Sequence, residues 1–268
     1  MTLVGFVALD DARRHDVLVS PGGGVSVRET TSVRNREFFG SMGSSEPGPQ
    51  GFLVEHLPAH TSVGAHFHPV DQFQVFFGSP GSFYKRSPMD AVMLHYADAY
   101  STYGPFGTAE QPCSFFTLRA HGSAFTGYMP GSRDRLVRRG LRQQHVCLEH
   151  LCAGVLPEGV RRDELIVSHS DALAASLLSC GPDQQIALDS LTTSGGQYCC
   201  VLAGEIVQGG RRFGPRSLGW CDPGAPMPDF RSGPDGARVL VMRFPVPARD
   251  PDTEVGRTVP CSDGEVRS

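Results

Sequence analysis

The feature that most constrains the fold is the segment 64–78, in which His66 and His68 stand one residue apart within a run of strand-forming residues. Side chains of a β-strand alternate between its two faces, so both imidazoles are predicted to point to the same face. Neutral imidazole is the commonest protein ligand for transition metals, and a third ligand a few residues further on would complete a set. The residue at that place is Gln72, with Asp71 beside it. The segment therefore predicts a strand with a candidate metal site formed by His66, His68 and Gln72.

This segment resembles the first motif of the cupin superfamily, in which two histidines and one glutamate bind a metal inside a small β-barrel. His66 and His68 match the two histidines, Gln72 stands where the family has its glutamate, and Gly78 matches the closing glycine. The resemblance implies an all-β fold of antiparallel double-stranded β-helix (jelly-roll) barrels. It also implies a divalent transition metal, which would be iron or alternatively zinc, manganese or nickel. The glutamine in place of glutamate leaves open the alternative that no metal is bound.

The second cupin motif supplies the last histidine ligand of the family, and its place in this chain is the segment 96–105. That segment contains no histidine, and Tyr100, Thr102 and Tyr103 occupy the neighbourhood. A small barrel of this kind holds a ligand in its mouth, lined by the side chains that point inward. Strand alternation predicts the following inward residues: His66, His68, Gln72, Gln74, Phe76, Tyr96, Asp98, Tyr100 and Tyr103.

Roles follow from the chemistry of these side chains. Burial among aromatic residues would raise the pKa of Asp98 towards neutrality, which suits a general base, and tyrosine hydroxyls can orient a substrate. The predicted catalytic residues are therefore Asp98, Tyr100 and Tyr103. The predicted substrate-binding residues are Gln74, Phe76 and Tyr96.

A second copy of the same unit is indicated further along the chain. The segment 197–204 repeats the order of glutamine, aromatic residue, apolar pair and glycine that is found in the segment 72–78. Repetition of this kind predicts two copies of one structural unit. Gly195 and Gly196 stand where the histidine pair is expected, and Met227 or Pro228 where the last histidine is expected, so the second barrel is predicted to be degenerate.

The resemblance and the repeat together predict a bicupin of five regions. These are N-terminal strands and a loop at 1–50, a first barrel at 51–125, a linker at 126–164, a second barrel at 165–247 and an exposed tail at 248–268. A short helix is expected at 170–178, between a capping Ser170 or Asp171 and the stop signal Gly181-Pro182.

Composition narrows the range of partners. The formal net charge of −4 gives no electrostatic reason to expect nucleic acid or an anionic membrane. The eight cysteines include no CxxC pair, and the first residues do not resemble a signal peptide, which predicts free thiols in the cytoplasm. A homodimer is one arrangement that the sequence leaves open.

Three functions are compatible with these features. The first is a metal-dependent, oxygenase-like enzyme that acts on a small organic molecule in the first barrel, in specialised metabolism. The second is a metal-free isomerase or cyclase that uses the same pocket for acid–base chemistry. The third is a bicupin that binds a small ligand without turnover. Metal content, sensitivity to chelation and turnover would discriminate among them.

Overall fold

The computed structural model describes residues 4–137, 142–167, 169–188, 194–226 and 228–246. Strands form nearly all of the regular structure, and every pairing between them is antiparallel. The helical elements are short: two 3-10 turns at Leu9–Asp11 and Arg133–Arg135, and helix α1 at Glu149–Ala153. The predicted all-β class is confirmed.

The strands of the first half are β1 (Val4–Val7), β2 (Arg13–Val19), β3 (Val25–Ser26), β4 (Thr31–Phe39), β5 (Gln50–Leu57), β6 (Ser62–Val63), β7 (His66–Phe67), β8 (Gln72–Phe77), β9 (Phe83–Tyr84), β10 (Ser87–Pro88), β11 (Val92–Ala97), β12 (Phe106–Gly107), β13 (Cys113–Arg119) and β14 (Gly127–Tyr128). Those of the second half are β15 (Gln143–Cys147), β16 (Val160–Ile166), β17 (Ala174–Cys180), β18 (Gln185–Ile186), β19 (Gln197–Gln208), β20 (Arg211–Phe213), β21 (Leu218–Cys221) and β22 (Phe230–Arg243).

The first barrel consists of two main sheets that pack face to face. One has seven strands in the order β15-β11-β8-β13-β5-β4-β2, and the other has five in the order β10-β9-β12-β6-β3. The ring of Phe106 on the smaller sheet lies 5.1 Å from that of Phe76 and 5.3 Å from that of Phe115 on the larger sheet. Strands β7 and β14 pair with each other at the side of this barrel. The apolar side chains between the sheets leave a cavity at one end, which is described below.

The motif glycine Gly78 ends β8 for a steric reason. A Cβ atom at this position would lie 1.7 Å from the carbonyl oxygen of Met89, so no other residue fits against that backbone. The tight turn that the sequence predicts after Phe77 therefore depends on the absence of a side chain.

The second barrel is built on one sheet of eight strands, in the order β1-β21-β19-β22-β17-β16, with β18 paired to β22 and β20 to β19. The long strands β19 and β22 continue past the main sheet and pair again near their far ends, at Ile206 with Ser232. Its interior is apolar and includes Phe6, Phe213 and Phe230.

The strand pairing differs from the predicted regions at the N-terminal strands and in the linker. Strand β1 pairs with β21 and so belongs to the second barrel, whereas β2 and β4 extend the large sheet of the first. Strand β15, in the predicted linker, pairs with β11 of the first barrel. The predicted exposed tail 248–268 lies outside the described residues.

The prediction of a helix at 170–178 is wrong, because residues 174–180 form strand β17. Ala174 and Ala175 favour a helix locally, but this segment pairs on both sides, with β16 and with β22. Tertiary pairing and burial override a local preference of well under ~1 kcal/mol per residue.

Candidate functional site

A cavity of about 310 Å³ lies inside the first barrel. Most of its wall is apolar, with valines from β2, β3 and β4 and aromatic side chains from β12 and β13. One end is polar and brings together side chains that are far apart in the sequence, namely His66, His68, Gln72, Gln74, Tyr103 and Arg119. All six of these side chains are at most 7 % exposed. The cavity volume is at the lower end of the ~300–1,000 Å³ range of small-molecule sites.

His66 and His68 both face this cavity, as the alternation of the strand predicts, although the regular strand is shorter than expected. The backbone breaks after β7, and a new strand, β8, begins at Gln72. Nδ1 of His66 lies 2.7 Å from the carbonyl oxygen of Gly64, and Nδ1 of His68 lies 2.7 Å from that of Phe125. A carbonyl oxygen can only accept, so each Nδ1 carries the proton and each Nε2 carries the lone pair that accepts a hydrogen bond on the cavity side.

Both imidazoles are neutral at pH 7. Burial, only partly offset by the hydrogen bond to Gly64, lowers the pKa of His66 to about 4. Burial, the charge of Arg119 and the neighbouring His66 lower the pKa of His68 well below its ordinary value. Each ring is therefore a proton acceptor at Nε2 and not an acid.

Tyr103 connects His66 to Gln72. Residue 103 forms an isolated bridge with His66, and its hydroxyl lies 2.9 Å from Nε2 of His66. Nε2 of Gln72 donates to the same hydroxyl oxygen at 2.6 Å. The hydroxyl hydrogen must therefore point to His66. Burial raises the pKa of Tyr103, whereas Arg119 and the bond from Gln72 act in the opposite direction because they stabilise the phenolate.

Arg119 completes the chain of hydrogen bonds. Its Nε donates to Oε1 of Gln72 at 2.8 Å, and its Nη2 donates to Nε2 of His68 at 3.1 Å. Its Nη1 donates to Oε1 of Gln50 at 2.6 Å and to the carbonyl oxygen of Ser123 at 2.8 Å. Burial lowers the pKa of Arg119 to about 10, so the guanidinium keeps its charge at pH 7.

Gln74 and Phe76 also point into the barrel, but they have different surroundings. Gln74 lines the cavity, and its Oε1 accepts a hydrogen bond from Nδ1 of His95 at 3.2 Å. The other nitrogen of His95 accepts from the hydroxyl of Tyr84 at 2.9 Å. Phe76 is fully buried between Phe106 and Phe115 and is not among the lining residues.

Tyr96, Asp98 and Tyr100 do not line the cavity, which corrects their predicted placement. Tyr96 points to the other face of β11, where its ring lies 4.8 Å from that of Phe73 and its hydroxyl donates to Asp98. Asp98 forms a salt bridge of 2.9 Å with Arg142. Tyr100 has a positive φ of 65°, which ends the strand alternation, and its ring lies 5.9 Å from that of Phe67.

Solved structures share this arrangement of two barrels. A candidate dioxygenase from Nostoc punctiforme superposes with a TM-score of 0.63 at 11 % identity, covering 91 % of this chain and 83 % of that protein. A variant of oxalate decarboxylase from Bacillus subtilis gives 0.56 at 12 % identity, covering 90 % and 76 %. A pirin from Escherichia coli in complex with nickel(II) gives 0.52 at 8 % identity, covering 91 % and 99 %. The chain has the bicupin fold. At these identities the likeness establishes the fold alone.

No protein-family model and no curated protein matches this sequence. No described helix is long and apolar enough to cross a membrane. The cysteines in the described part of the chain are free thiols, and most of them are buried.

The polar end of the bicupin cavity does not fit a transition metal in the manner of the cupin motif. Nε2 of His66 is bonded to the Tyr103 hydroxyl and Nε2 of His68 to the guanidinium of Arg119. The third position is a neutral amide, a weak ligand for such metals, and the fourth is a protonated phenol. A buried cation beside His68 would repel a second cation. Among the described residues, no group of three or more His, Cys, Asp or Glu side chains could hold a metal ion.

The second barrel of the bicupin repeats one pair of facing residues. In the first barrel, the pairing of β13 with β8 brings Arg119 next to Gln72. In the second barrel, Arg243 pairs directly with Gln197, the residue that repeats Gln72. The two barrels therefore share the glutamine and arginine at corresponding positions, whereas the second barrel has Gly195 and Gly196 where the first has its motif histidines.

Arg119 and His95 are absent from the predicted site, although the sequence contains a signal for both. Every second residue of β13 points to the same face of the strand, and this set includes Cys113, Phe115, Thr117 and Arg119. Arg119 therefore lies on the inward face. His95 lies on the inward face of β11, where the sequence predicts its neighbour Tyr96.

Proposed function

We propose that this bicupin is a metal-independent acid–base enzyme, of the isomerase or cyclase type, that acts on a small organic molecule in the cavity of the first barrel. The observation that supports the proposal is the chain of directed hydrogen bonds from Arg119 through Gln72 and Tyr103 to His66. This chain places a neutral base, a hydroxyl donor and a cation at one end of an otherwise apolar cavity.

The three groups can perform a balanced proton transfer. When a substrate binds, the Tyr103 hydroxyl turns from His66 to the substrate, and Nε2 of His66 accepts a proton from a carbon of the substrate. Arg119 stabilises the negative charge that develops on the substrate oxygen. Tyr103 then donates its proton to a second atom of the substrate. The proton on His66 returns to the tyrosine oxygen across their 2.9 Å contact, so the substrate is rearranged without oxidation.

Proton exchange with solvent tests this proposal even while the product is unidentified. Wild-type protein would be dialysed against EDTA and 1,10-phenanthroline and incubated in D2O with acetophenone, phenylacetone, phenylpyruvate and phenylacetate. Exchange of the carbon-bound protons would be followed by NMR. We expect exchange with at least one compound, a loss of ~100-fold or more in Tyr103→Phe and in His66→Gln, and no loss in Tyr128→Phe.

Tyr128→Phe is the matched control because its ring lies in the same cavity, 5.4 Å from that of His66. Exchange that disappears on chelation and returns with iron(II), manganese(II), nickel(II) or zinc(II) would contradict the proposal and favour the metal-dependent, oxygenase-like function. Elemental analysis of wild type and of the His66→Ala/His68→Ala double variant would then show whether these residues hold the metal. Binding without exchange or turnover would favour the non-catalytic function.

The remaining predictions concern cellular context. A cytoplasmic location, a role in specialised metabolism and a homodimer rest on the sequence and stay predictions. The small-molecule partner is the one that the cavity supports directly, because its volume of about 310 Å³ suits a ligand of that class.

A further inference from the structure

Arg119 carries a buried charge that the described part of the protein does not neutralise. Its side chain is 4 % exposed, and its four hydrogen-bond acceptors are the amide oxygens of Gln50 and Gln72, the carbonyl oxygen of Ser123 and Nε2 of His68. All four acceptors are neutral. No described carboxylate forms an ion pair with it, in contrast to Arg142, which is paired with Asp98 and Asp171. Buried charges in proteins are ordinarily paired with an opposite charge or a ligand.

The guanidinium also has donor capacity left for a ligand. A guanidinium has five N–H groups, and the hydrogen bonds formed with described residues use one on Nε, two on Nη1 and one on Nη2. The second N–H of Nη2 remains, and Arg119 is part of the cavity wall. A ligand oxygen can accept from it, and can displace the longer bond to His68 to make two contacts with Nη2.

The composition of the cavity wall specifies the rest of the ligand. No aspartate or glutamate is among the described residues that line it, so an anion meets no like charge there. The wall away from Arg119 is formed by side chains such as Val17, Val33, Phe52 and Phe106. The corresponding cavity of the second barrel, of about 180 Å³, includes Glu164 together with Arg162 and Arg243, and so contains both signs of charge.

We infer that the ligand of the first barrel is a small monocarboxylate with an apolar body, whose carboxylate binds Arg119 while the body occupies the valine- and phenylalanine-lined part of the cavity. This inference rests on the proposed function for the location of the site and adds the class of substrate. A charged hydrogen bond between guanidinium and carboxylate is stronger than a neutral one and replaces the missing counter-charge. An amide of the same shape cannot supply that charge.

The test compares carboxylates with their amides by isothermal titration calorimetry. Hexanoate, benzoate and phenylacetate would be titrated against hexanamide, benzamide and phenylacetamide, with wild type, Arg119→Met, Arg119→Lys and Arg142→Met. We expect at least one acid to bind wild type ~10-fold or more tightly than its amide. Arg119→Met removes this preference, Arg119→Lys retains part of it, and Arg142→Met, which loses a guanidinium outside the cavity, retains all of it.

Equal binding of acid and amide by wild type, failure of every carboxylate to bind, or an undiminished preference in Arg119→Met would each overturn the inference. The comparison within wild type remains decisive if Arg119→Met does not fold. The outcome is also separable from the proposed function. Carboxylates that bind through Arg119 without any proton exchange overturn the acid–base function alone, whereas ketones that exchange protons while no carboxylate binds overturn this inference alone.

Discussion

Tyr103 is the residue on which the polar end of the cavity most depends, because one hydroxyl satisfies two buried groups. Replacing it with phenylalanine leaves Nε2 of His66 without a donor and Nε2 of Gln72 without an acceptor. A buried polar group that loses its partner costs about 1–3 kcal/mol. We expect Tyr103→Phe to lower the free energy of unfolding by that amount in urea denaturation.

Tyr128→Phe is the control for this measurement, since the described hydrogen bonds of the cavity do not involve its hydroxyl. We expect a change within ~0.5 kcal/mol. Equal effects of the two substitutions would mean that the hydroxyl of Tyr103 contributes no more to stability than an ordinary pocket tyrosine.

The buried imidazoles are expected to make the stability of the protein depend on pH. Burial lowers the pKa of His66 to about 4, and burial together with His145 and Lys85 lowers that of His95 to about 3. The unfolded chain has histidines of ordinary pKa near ~6.5, so it binds more protons than the folded protein below that pH. Stability is therefore fully present above about pH 6.5 and falls as the pH decreases towards 4, with each histidine contributing up to ~1.4 kcal/mol per pH unit.

Urea denaturation at pH 7.5, 6.0 and 5.0 measures this dependence. His95→Asn removes one of the titrating groups, so the variant is expected to lose stability more slowly with acidification than wild type, by up to ~1.4 kcal/mol per pH unit. Its stability at pH 7.5 is lower, because Tyr84 and Gln74 lose their partner. An unchanged slope in the variant would show that His95 titrates normally in the folded protein.

At the scale of the element, the sequence predicts β8 well and β11 poorly. In β8, Gln72, Gln74 and Phe76 point inward as expected, because a motif with known ligands fixes the phase of the alternation. In β11, one face carries Leu94 and Tyr96 and the other carries Met93, and both faces are buried. The pattern of apolar residues therefore does not indicate which face points to the cavity. A shift of one residue reverses every side chain, which is why His95, and not Tyr96, lies on the inward face and bonds Gln74 of the cavity wall.

Arg119 shows a different limit of sequence-based prediction. Its position on the inward face follows from the period of β13, but its contacts with Gln72, Gln50 and His68 join residues separated by 47, 69 and 51 positions. Such contacts are fixed by the closure of the barrel and have no local signal. Tyr103, one of the tyrosines predicted near the second motif, lines the cavity and forms an isolated bridge with His66, while its catalytic role stays a prediction.

Strand β1 is expected to stabilise the second barrel. It pairs with β21, which is distant in the sequence, and the ring of Phe6 packs against those of Phe213 and Phe230 with centroids 5.5 Å apart in each case. A Cβ on Gly219 would lie 2.8 Å from this ring, so the strand packs tightly against β21. We expect Phe6→Ala to destabilise the protein by about 3 kcal/mol, within the range for phenylalanine removed from a core.

Leu18→Ala on β2 is the matched control, because Leu18 is 75 % exposed and its truncation leaves no cavity. Its expected effect is within ~0.5 kcal/mol. Chemical denaturation measures the free energy of unfolding of both variants. A loss in Phe6→Ala no larger than that in Leu18→Ala would show that the packing of β1 does not stabilise the second barrel.

At the scale of the whole molecule, the two barrels share one apolar core. This core takes Phe73 and Leu53 from the first barrel and Trp220 and Phe244 from the second. The rings of Phe73 and Phe244 lie 5.0 Å apart, edge to face. The hydroxyl of Tyr198, in the second barrel, donates at 3.1 Å to the carbonyl oxygen of Arg119. The degenerate barrel therefore supports the backbone of the residue that carries the charge in the cavity of the other.

We expect a shared core of this kind to make the barrels unfold together, and Phe244 is the residue that tests this coupling. Phe244→Ala removes contacts with Phe73, Tyr198 and Trp220 and creates a cavity between the barrels, at a cost of about 3–5 kcal/mol. We expect wild type to show one transition in differential scanning calorimetry, and Phe244→Ala to show a lower and broader transition or two separate ones. The same variant is expected to bind the carboxylate ligand more weakly, because the strand end at Arg119 loses part of its support from the second barrel. Two transitions already present in wild type would mean that the barrels are energetically independent and would contradict this prediction.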